Sequence, residues 1–226
     1  MSKTSKIAKK SPCVENNDKV ASVFNQLTGE KCYDSAQIKQ LFSQMFKDYS
    51  KNVVNHWCEP QTEESSGLMI DLDVYSQIEA PQLTNDDYMT IAKILVEFVV
   101  SKIDTNLQED ADFGKEFIVV EIRRPYVTEN QVVRLGWNAK HQAYKDGCHY
   151  LFPNLHLHRA TKKWLISQMI SAKILNKVLS KYTIIDADAV IDVASAYVPT
   201  LLIGSCKRDR NFSYPIKAIY KYEADI

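Results

Sequence analysis

Apolar residues recur at two spacings along this chain, and the switches between them divide it into elements. Val20, Val23, Phe24 and Leu27 lie at helical spacing before Gly29, predicting a short helix that stops at the glycine. Asp34, with Gln37 three residues on, predicts the start of a second helix carrying Ile38, Leu41, Phe42, Met45, Phe46 and Tyr49. Residues 59–66 read as a polar linker, and Gly67 then opens the run Leu68-Met69-Ile70-Asp71-Leu72-Asp73-Val74, a strand. Thr84 and its capping partner Asp87 open a third helix through Tyr88, Ile91, Leu95 and Phe98 to about Leu107, where an acidic loop over 104–115 ends it. Strands are predicted over 117–122, closed by Pro125, then over 132–137 and 149–152. A long helix over 160–182 follows, with Leu165, Met169, Ala172, Leu175 and Leu179 on one face, and strands over 200–203 and 214–222 finish the chain. Strands interspersed with helices, without strict alternation, predict an α+β fold: a twisted mixed β-sheet core flanked by helices. No internal repeat or low-complexity segment interrupts it.

At 226 residues the chain can bury a proper core, and 45% hydrophobic with 25% charged residues is ordinary globular composition. Residues 1–15, with Lys3, Lys6, Lys9 and Lys10 but no apolar stretch after them, read as a disordered basic tail rather than a secretory signal. No apolar run approaches the ~20 residues needed to span a bilayer. The five cysteines are never closer than 19 residues, which excludes the C-x-x-C spacing of zinc knuckles and points to a reducing compartment. A formal net charge of zero argues against holding nucleic acid by bulk electrostatics. The charges are nevertheless segregated: residues 59–116 carry fourteen acidic against three basic residues, whereas 159–182 carry six basic and no acidic one. A basic face is therefore available on a neutral chain.

The chemistry centres on Asp71 and Asp73. Residues two apart in a strand share a face, so the two carboxylates project side by side from apolar backbone. Such a pair either faces solvent on an edge strand or holds a hard, oxygen-seeking cation such as Mg²⁺ or Mn²⁺. A third carboxylate is available at Asp192, with Asp186 and Asp188 as competitors. Gly204-Ser205-Cys206-Lys207 follows an apolar run and offers backbone N–H groups, a hydroxyl and an ammonium to a phosphate, although it lacks Walker spacing. His149 opens an apolar strand two residues after Gly147. His156 and His158 could begin a zinc site, but no third ligand lies nearby. From the residues alone, three classes stay open: a metal-and-phosphate enzyme, a D-x-D glycosyltransferase using a nucleotide sugar, and a non-catalytic module binding single-stranded nucleic acid through its basic face.

The order of these pieces resembles the archaeo-eukaryotic primase superfamily, and within it the primase part of primase-helicases of large DNA viruses of the African swine fever virus type. The carriers are Ser66-Gly67-Leu68-Met69-Ile70-Asp71-x-Asp73, Lys145-x-Gly147-x-His149 before Phe152-Pro153, Ala160-Thr161-Lys162-Lys163, and Ile191-Asp192 before Ser195-x-x-Val198-Pro199-x-Leu201-Leu202-x-Gly204-Ser205-x-Lys207, with an aromatic strand at Tyr214. The resemblance covers about residues 66–222 and implies a catalytic domain over 16–226, with an N-terminal helical part at about 16–58 and a core with an RRM-like half.

It also implies template-directed nucleotidyl transfer, with Asp71, Asp73 and Asp192 holding two Mg²⁺ or Mn²⁺ ions. His149, Ser205 and Lys207, with Lys145 and Gly147, would bind the nucleotide. Arg159, Lys162, Lys163 and Arg208 are expected template contacts, chiefly on charge. Expected partners are single-stranded DNA, NTPs or dNTPs, and a superfamily 3 helicase region in the same or another chain, at a viral replication site in the host cytoplasm. Two departures stand out: no zinc module is present, and no Walker loop precedes Ile226, as expected of a fragment or a stand-alone form.

Overall fold

A computed structural model describes residues 23–32, 34–51, 53–102, 116–123, 127–129, 132–207 and 214–223. The expected basic tail, the acidic loop, the helix end near Leu107 and Arg208 lie outside the described residues. The elements are β1 (Val23–Asn25), β2 (Lys31–Cys32), α1 (Ser35–Ser50), β3 (Trp57–Glu59), β4 (Ser66–Ser76), α2 (Asn85–Lys102), β5 (Glu116–Arg123), β6 (Val127–Glu129), β7 (Val132–Arg134), β8 (Gly136–Asn138), β9 (Ala143–Leu157), α3 (Arg159–Ser171), α4 (Asn176–Leu179), β10 (Thr200–Leu201) and β11 (Ile216–Glu223). The α+β class is as the sequence predicts, and every pairing between these strands is antiparallel.

The larger sheet runs β11-β5-β9-β4, with β8 also on β9. One of its faces carries Ile70, Leu72, Val74, Val119, Tyr150 and Phe152, each at most 3% exposed, and packs against Ile91, Leu95, Leu165 and Met169 of α2 and α3. Within this core the Tyr150 hydroxyl donates to the Tyr88 carbonyl at 2.9 Å. The predicted cap of α2 forms in full: Thr84 N–H donates to Asp87 Oδ2 at 2.9 Å and Asp87 N–H to Thr84 Oγ1 at 3.2 Å. The smaller sheet, β10-β3-β1-β2, packs Val23, Cys32 and Trp57 against Leu41 and Met45 of α1. Asp34 caps that helix as expected, accepting from Gln37 N–H at 2.8 Å.

Five predicted elements differ from those observed, one of them the strand expected over 132–137, which divides at Leu135 into β7, paired with β6, and β8, paired with β9. The short helix before Gly29 is instead strand β1, because Val23 and Phe24 pair with Cys32 and Lys31 on one side and Phe24 with Cys58 on the other. Asn25 then turns the chain, its side chain accepting from the Leu27 and Thr28 N–H groups. The short strand at His149 is the middle of the fifteen-residue β9. Pro153 sits within β9 at an irregularity where the register on β4 jumps from Leu68↔Phe152 to Gly67↔His156, a place where its missing N–H costs no ladder bond to β4. The long helix over 160–182 breaks after Ser171, where Lys173 adopts φ +55° and redirects the chain into α4. Leu165, Met169, Leu175 and Leu179 are buried as predicted, whereas Ala172, expected on the same face, is exposed at the break. The strand expected over 200–203 is cut to Thr200–Leu201, since Ile203 and Gly204 form a turn. Among the described residues, no helix is long and apolar enough to cross a membrane.

Candidate functional site

Helices cover one face of the larger sheet; the opposite face of β4 and β9 presents the ionisable side chains. Because Ile70, Leu72 and Val74 point into the core, strand alternation turns Asp71, Asp73 and Tyr75 outward. Register sets what each one meets. Asp71 lies opposite His149, Asp73 opposite Gly147 and Tyr75 opposite Lys145. His149 Nε2 lies 3.3 Å from Asp71 Oδ1, and Lys145 Nζ lies 2.5 Å from Asp73 Oδ2. These four side chains retain 16–22% exposure, enough to be reached by a ligand while still sheltered. Lys145 also lies 5.7 Å from the Tyr75 ring centroid, and the His149 ring stacks on Tyr214 with centroids 5.5 Å apart and planes at 13°.

Gly147 is required by close approach. A Cβ there would come within 2.2 Å of the Leu72 carbonyl oxygen, so only glycine lets β9 pass this near to β4 beside Asp73. Electrostatics then favour ionised Asp71. Burial works to raise its pKa, but the His149 hydrogen bond and the charges of His149, Lys145 and Lys207 outweigh it, holding the carboxyl below its ordinary range.

The third carboxylate arrives through backbone. Ile191 bridges Leu72, and the Asp192 N–H donates to the Asp71 carbonyl at 2.9 Å, which joins the two aspartates main chain to main chain. Asp192 Oδ1 accepts from Ala194 N–H at 2.8 Å, capping the short 3₁₀ turn over Val193–Ala196. Of its competitors, Asp186 is exposed and makes no side-chain cap, and the Asp188 side chain lies outside the described residues. Among the described residues, no three His, Cys, Asp or Glu side chains are gathered closely enough to enclose a metal ion. The oxygen donors of Asp71 and Asp73 fit a hard divalent cation, and the Asp192 carboxylate, of the same chemistry, caps its own turn through Oδ1. The two candidate zinc histidines are likewise engaged locally: His158 Nδ1 accepts from Ala160 N–H at 3.1 Å, and His156 Nε2 lies 3.2 Å from the Pro153 carbonyl.

The Gly204 turn differs from expectation in what it presents. Gly204 adopts φ +81°, but the Ser205 N–H donates to Leu202 and the Cys206 N–H to Asn55. The Ser205 hydroxyl is buried and accepts from Trp57 N–H at 3.1 Å. Of the three kinds of donor predicted, the turn directs outward the Lys207 ammonium, whose charge reaches Asp71.

The expected template contacts separate in the structure. Lys163 is exposed and lies over the Tyr197 ring at 5.0 Å. Lys162 is a correction: it is fully buried, bonded to Gln61 Oε1 and, at 2.5 Å, to Ser66 Oγ, so a phosphate at the surface has no access to it. Burial, outweighing the attraction of Glu59, pushes its pKa down to about 8. Arg159 donates to the Gln61 carbonyl at 2.6 Å. Gln61 in turn donates through Nε2 to Thr200 Oγ1 at 2.9 Å, so α3 is tied to both sheets. Sequence reasoning missed this internal role for Lys162 and Gln61, because a lysine on a basic helix carries no mark of burial. The stacking of Tyr214 on His149 was equally hidden, depending on a contact 65 residues apart in the chain.

The larger sheet thus carries helices on one face and paired aspartates, a histidine and a lysine on the other. Residues 26–220 match the family described as the C962R protein N-terminal AEP domain, and the chain belongs to that family of the archaeo-eukaryotic primases. It is 23% identical over 195 residues to "Putative primase C962R" of African swine fever virus, an alignment covering 85% of this chain and 18% of that protein. The chain thus spans about a fifth of the length of the curated relative it matches.

Proposed function

We propose that this domain is a DNA-templated primase that joins NTPs, or dNTPs, into short primers for viral DNA replication. The observation that carries this reading is the cross-strand register that sets Asp71 opposite His149 and lets Lys145 reach Asp73 on the open sheet face, within a chain of primase family. Asp71 and Asp73, joined by Asp192, would hold two Mg²⁺ or Mn²⁺ ions; these would activate the attacking 3′-hydroxyl and stabilise the departing pyrophosphate. The 3′-oxygen bonds to the α-phosphorus as the α–β anhydride bond breaks and the hydroxyl proton passes to solvent. Lys145, His149 and Lys207 gather the triphosphate oxygens, and Tyr214 holds the imidazole plane by stacking. Ser205 acts from within, as a positioning residue for the turn that carries Lys207. A superfamily 3 helicase region in the same or a partner chain would supply the unwound template.

The test is incorporation of labelled NTPs and dNTPs on single-stranded DNA without added primer, in Mg²⁺ or Mn²⁺. Short products from wild type and none from Asp71→Ala/Asp73→Ala are expected. Equal incorporation by the two proteins would refute the assignment.

A further inference from the structure

Along the open face of β4 and β9, beyond the aspartates, lies an apolar groove of about 580 Å³ between the sheet and α1. Its floor is Met69, Leu151 and Pro153, and its wall is Phe42, Phe46 and Tyr49. The wall residues recur at i, i+4 and i+7, one face of α1, and are 49%, 76% and 49% exposed. So large an aromatic exposure marks a binding surface more often than an accident of folding.

We propose that this groove takes the unpaired bases of the nucleic-acid strand held at the aspartate site, stacked on Phe42 and Phe46. The inference rests on the primase reading above and names a subsite for its strand. Continuity is the first argument. Met69 and Leu151 are the next residues on the same face after Asp71 and His149, about 7 Å along the strands at ~3.4 Å per residue, roughly the reach from a nucleotide's phosphate to its base. The arrangement of charge is the second. Gly204, in the turn that directs Lys207 outward, sits so close to the wall that a Cβ on it would lie 3.4 Å from Tyr49 Cδ2. The turn that leads to Lys207 therefore borders the aromatic wall, with the groove lined by Gly204 on that side. The third argument is composition: Glu59 and His156 are the acidic and basic side chains lining an otherwise apolar or uncharged groove. Such a lining suits base faces and disfavours phosphates. Aromatic platforms beside a cationic track are how single strands are held without regard to sequence.

The experiment compares binding of a labelled 20-nucleotide oligo-dT, and of an abasic strand of equal length, by fluorescence anisotropy. Proteins are the full chain, Phe42→Ala/Phe46→Ala, and Phe46→Tyr. The double variant should bind oligo-dT on the order of tenfold or more weakly than wild type, consistent with loss of stacked bases. Phe46→Tyr should bind as wild type does, and the abasic strand should not distinguish the proteins. Equal oligo-dT affinity for wild type and the double variant would overturn the groove assignment, as would an equal loss on the abasic strand. If wild type still makes primers in that case, the groove assignment alone has failed and another ligand, such as a partner's apolar helix, takes its place. If wild type neither binds oligo-dT nor incorporates nucleotide, both readings fall. Since Phe42 and Phe46 are exposed, unchanged far-UV circular dichroism is expected for both variants.

Discussion

Asp71 shows how a single residue can be prepared for chemistry by its neighbours. Burial alone would raise its pKa, yet the His149 hydrogen bond and the electrostatic attraction of His149, Lys145 and Lys207 hold it below its ordinary range. Asp71→Asn should therefore lower primer synthesis on the order of a hundredfold or more, the scale at which losing one charge contact to a transition state is felt. Thermal melting of the variant will show whether the fold survives. The same carboxylate predicts a pH dependence of stability. Its folded pKa lies below the unfolded value of about 3.9, so its contribution is fully present above that value and is lost as pH falls through the folded pKa. Acid denaturation followed below pH 4 should show a shallower loss for Asp71→Asn than for wild type. Lys162 runs the other way. Burial puts its folded pKa at about 8, against about 10.4 unfolded, so between these values the unfolded chain binds the extra proton and stability rises with pH. Urea titrations from pH 7.5 to 10.5 should show that rise in wild type and not in Lys162→Met.

At the level of elements, the closeness of β4 and β9 is the property on which the site depends. Gly147→Ala puts a methyl group against a main-chain oxygen that cannot swing aside, so the strands must part. A loss of roughly 1–3 kcal/mol in denaturant unfolding is expected, the usual cost of forced overpacking, with primer synthesis impaired as Asp73 and Lys145 move. How far these elements were legible depended on where their determinants lie. The α1 and α2 caps and the β4 alternation are local and were readable; so was the partnership of Asp71 and Asp73, which follows from a period of two. Strand β1 was misread because four apolar residues at helical spacing cannot reveal that Val23 and Phe24 will pair with neighbouring strands. The break after α3 turns on the positive φ of Lys173, a residue type that does not announce it. For the site, the order of motifs along the sequence brought His149, Asp192 and Lys207 together. It could not reveal that the Ser205 hydroxyl and the neighbouring N–H groups would be consumed inside the fold.

For the molecule as a whole, neutrality constrains how a strand can be held. Without nucleotide present, Lys145 and Lys207, assigned above to the triphosphate, can meet strand phosphates beside the exposed Lys163, and at ~0.7 per phosphate for single strands the three predict a slope of about −2 for log affinity against log salt. Anisotropy titrations across a range of NaCl concentrations measure it; a slope steeper than about −4 would mean that charges other than these lysines dominate. The two sheets meet through Lys162, Gln61 and Thr200, and that connection has a polarity. An ammonium can only donate, so Gln61 must turn its oxygen toward Lys162 and its nitrogen toward Thr200, leaving the threonine oxygen as acceptor. Glutamate at position 61 could satisfy both ends by reversing the second bond, with the threonine hydroxyl now donating, whereas leucine or methionine would strand a buried ammonium. A saturation library selected for folded protein should therefore return Glu beside Gln at position 61 and exclude the apolar residues of the same length, a substitution grammar written by the direction of two hydrogen bonds.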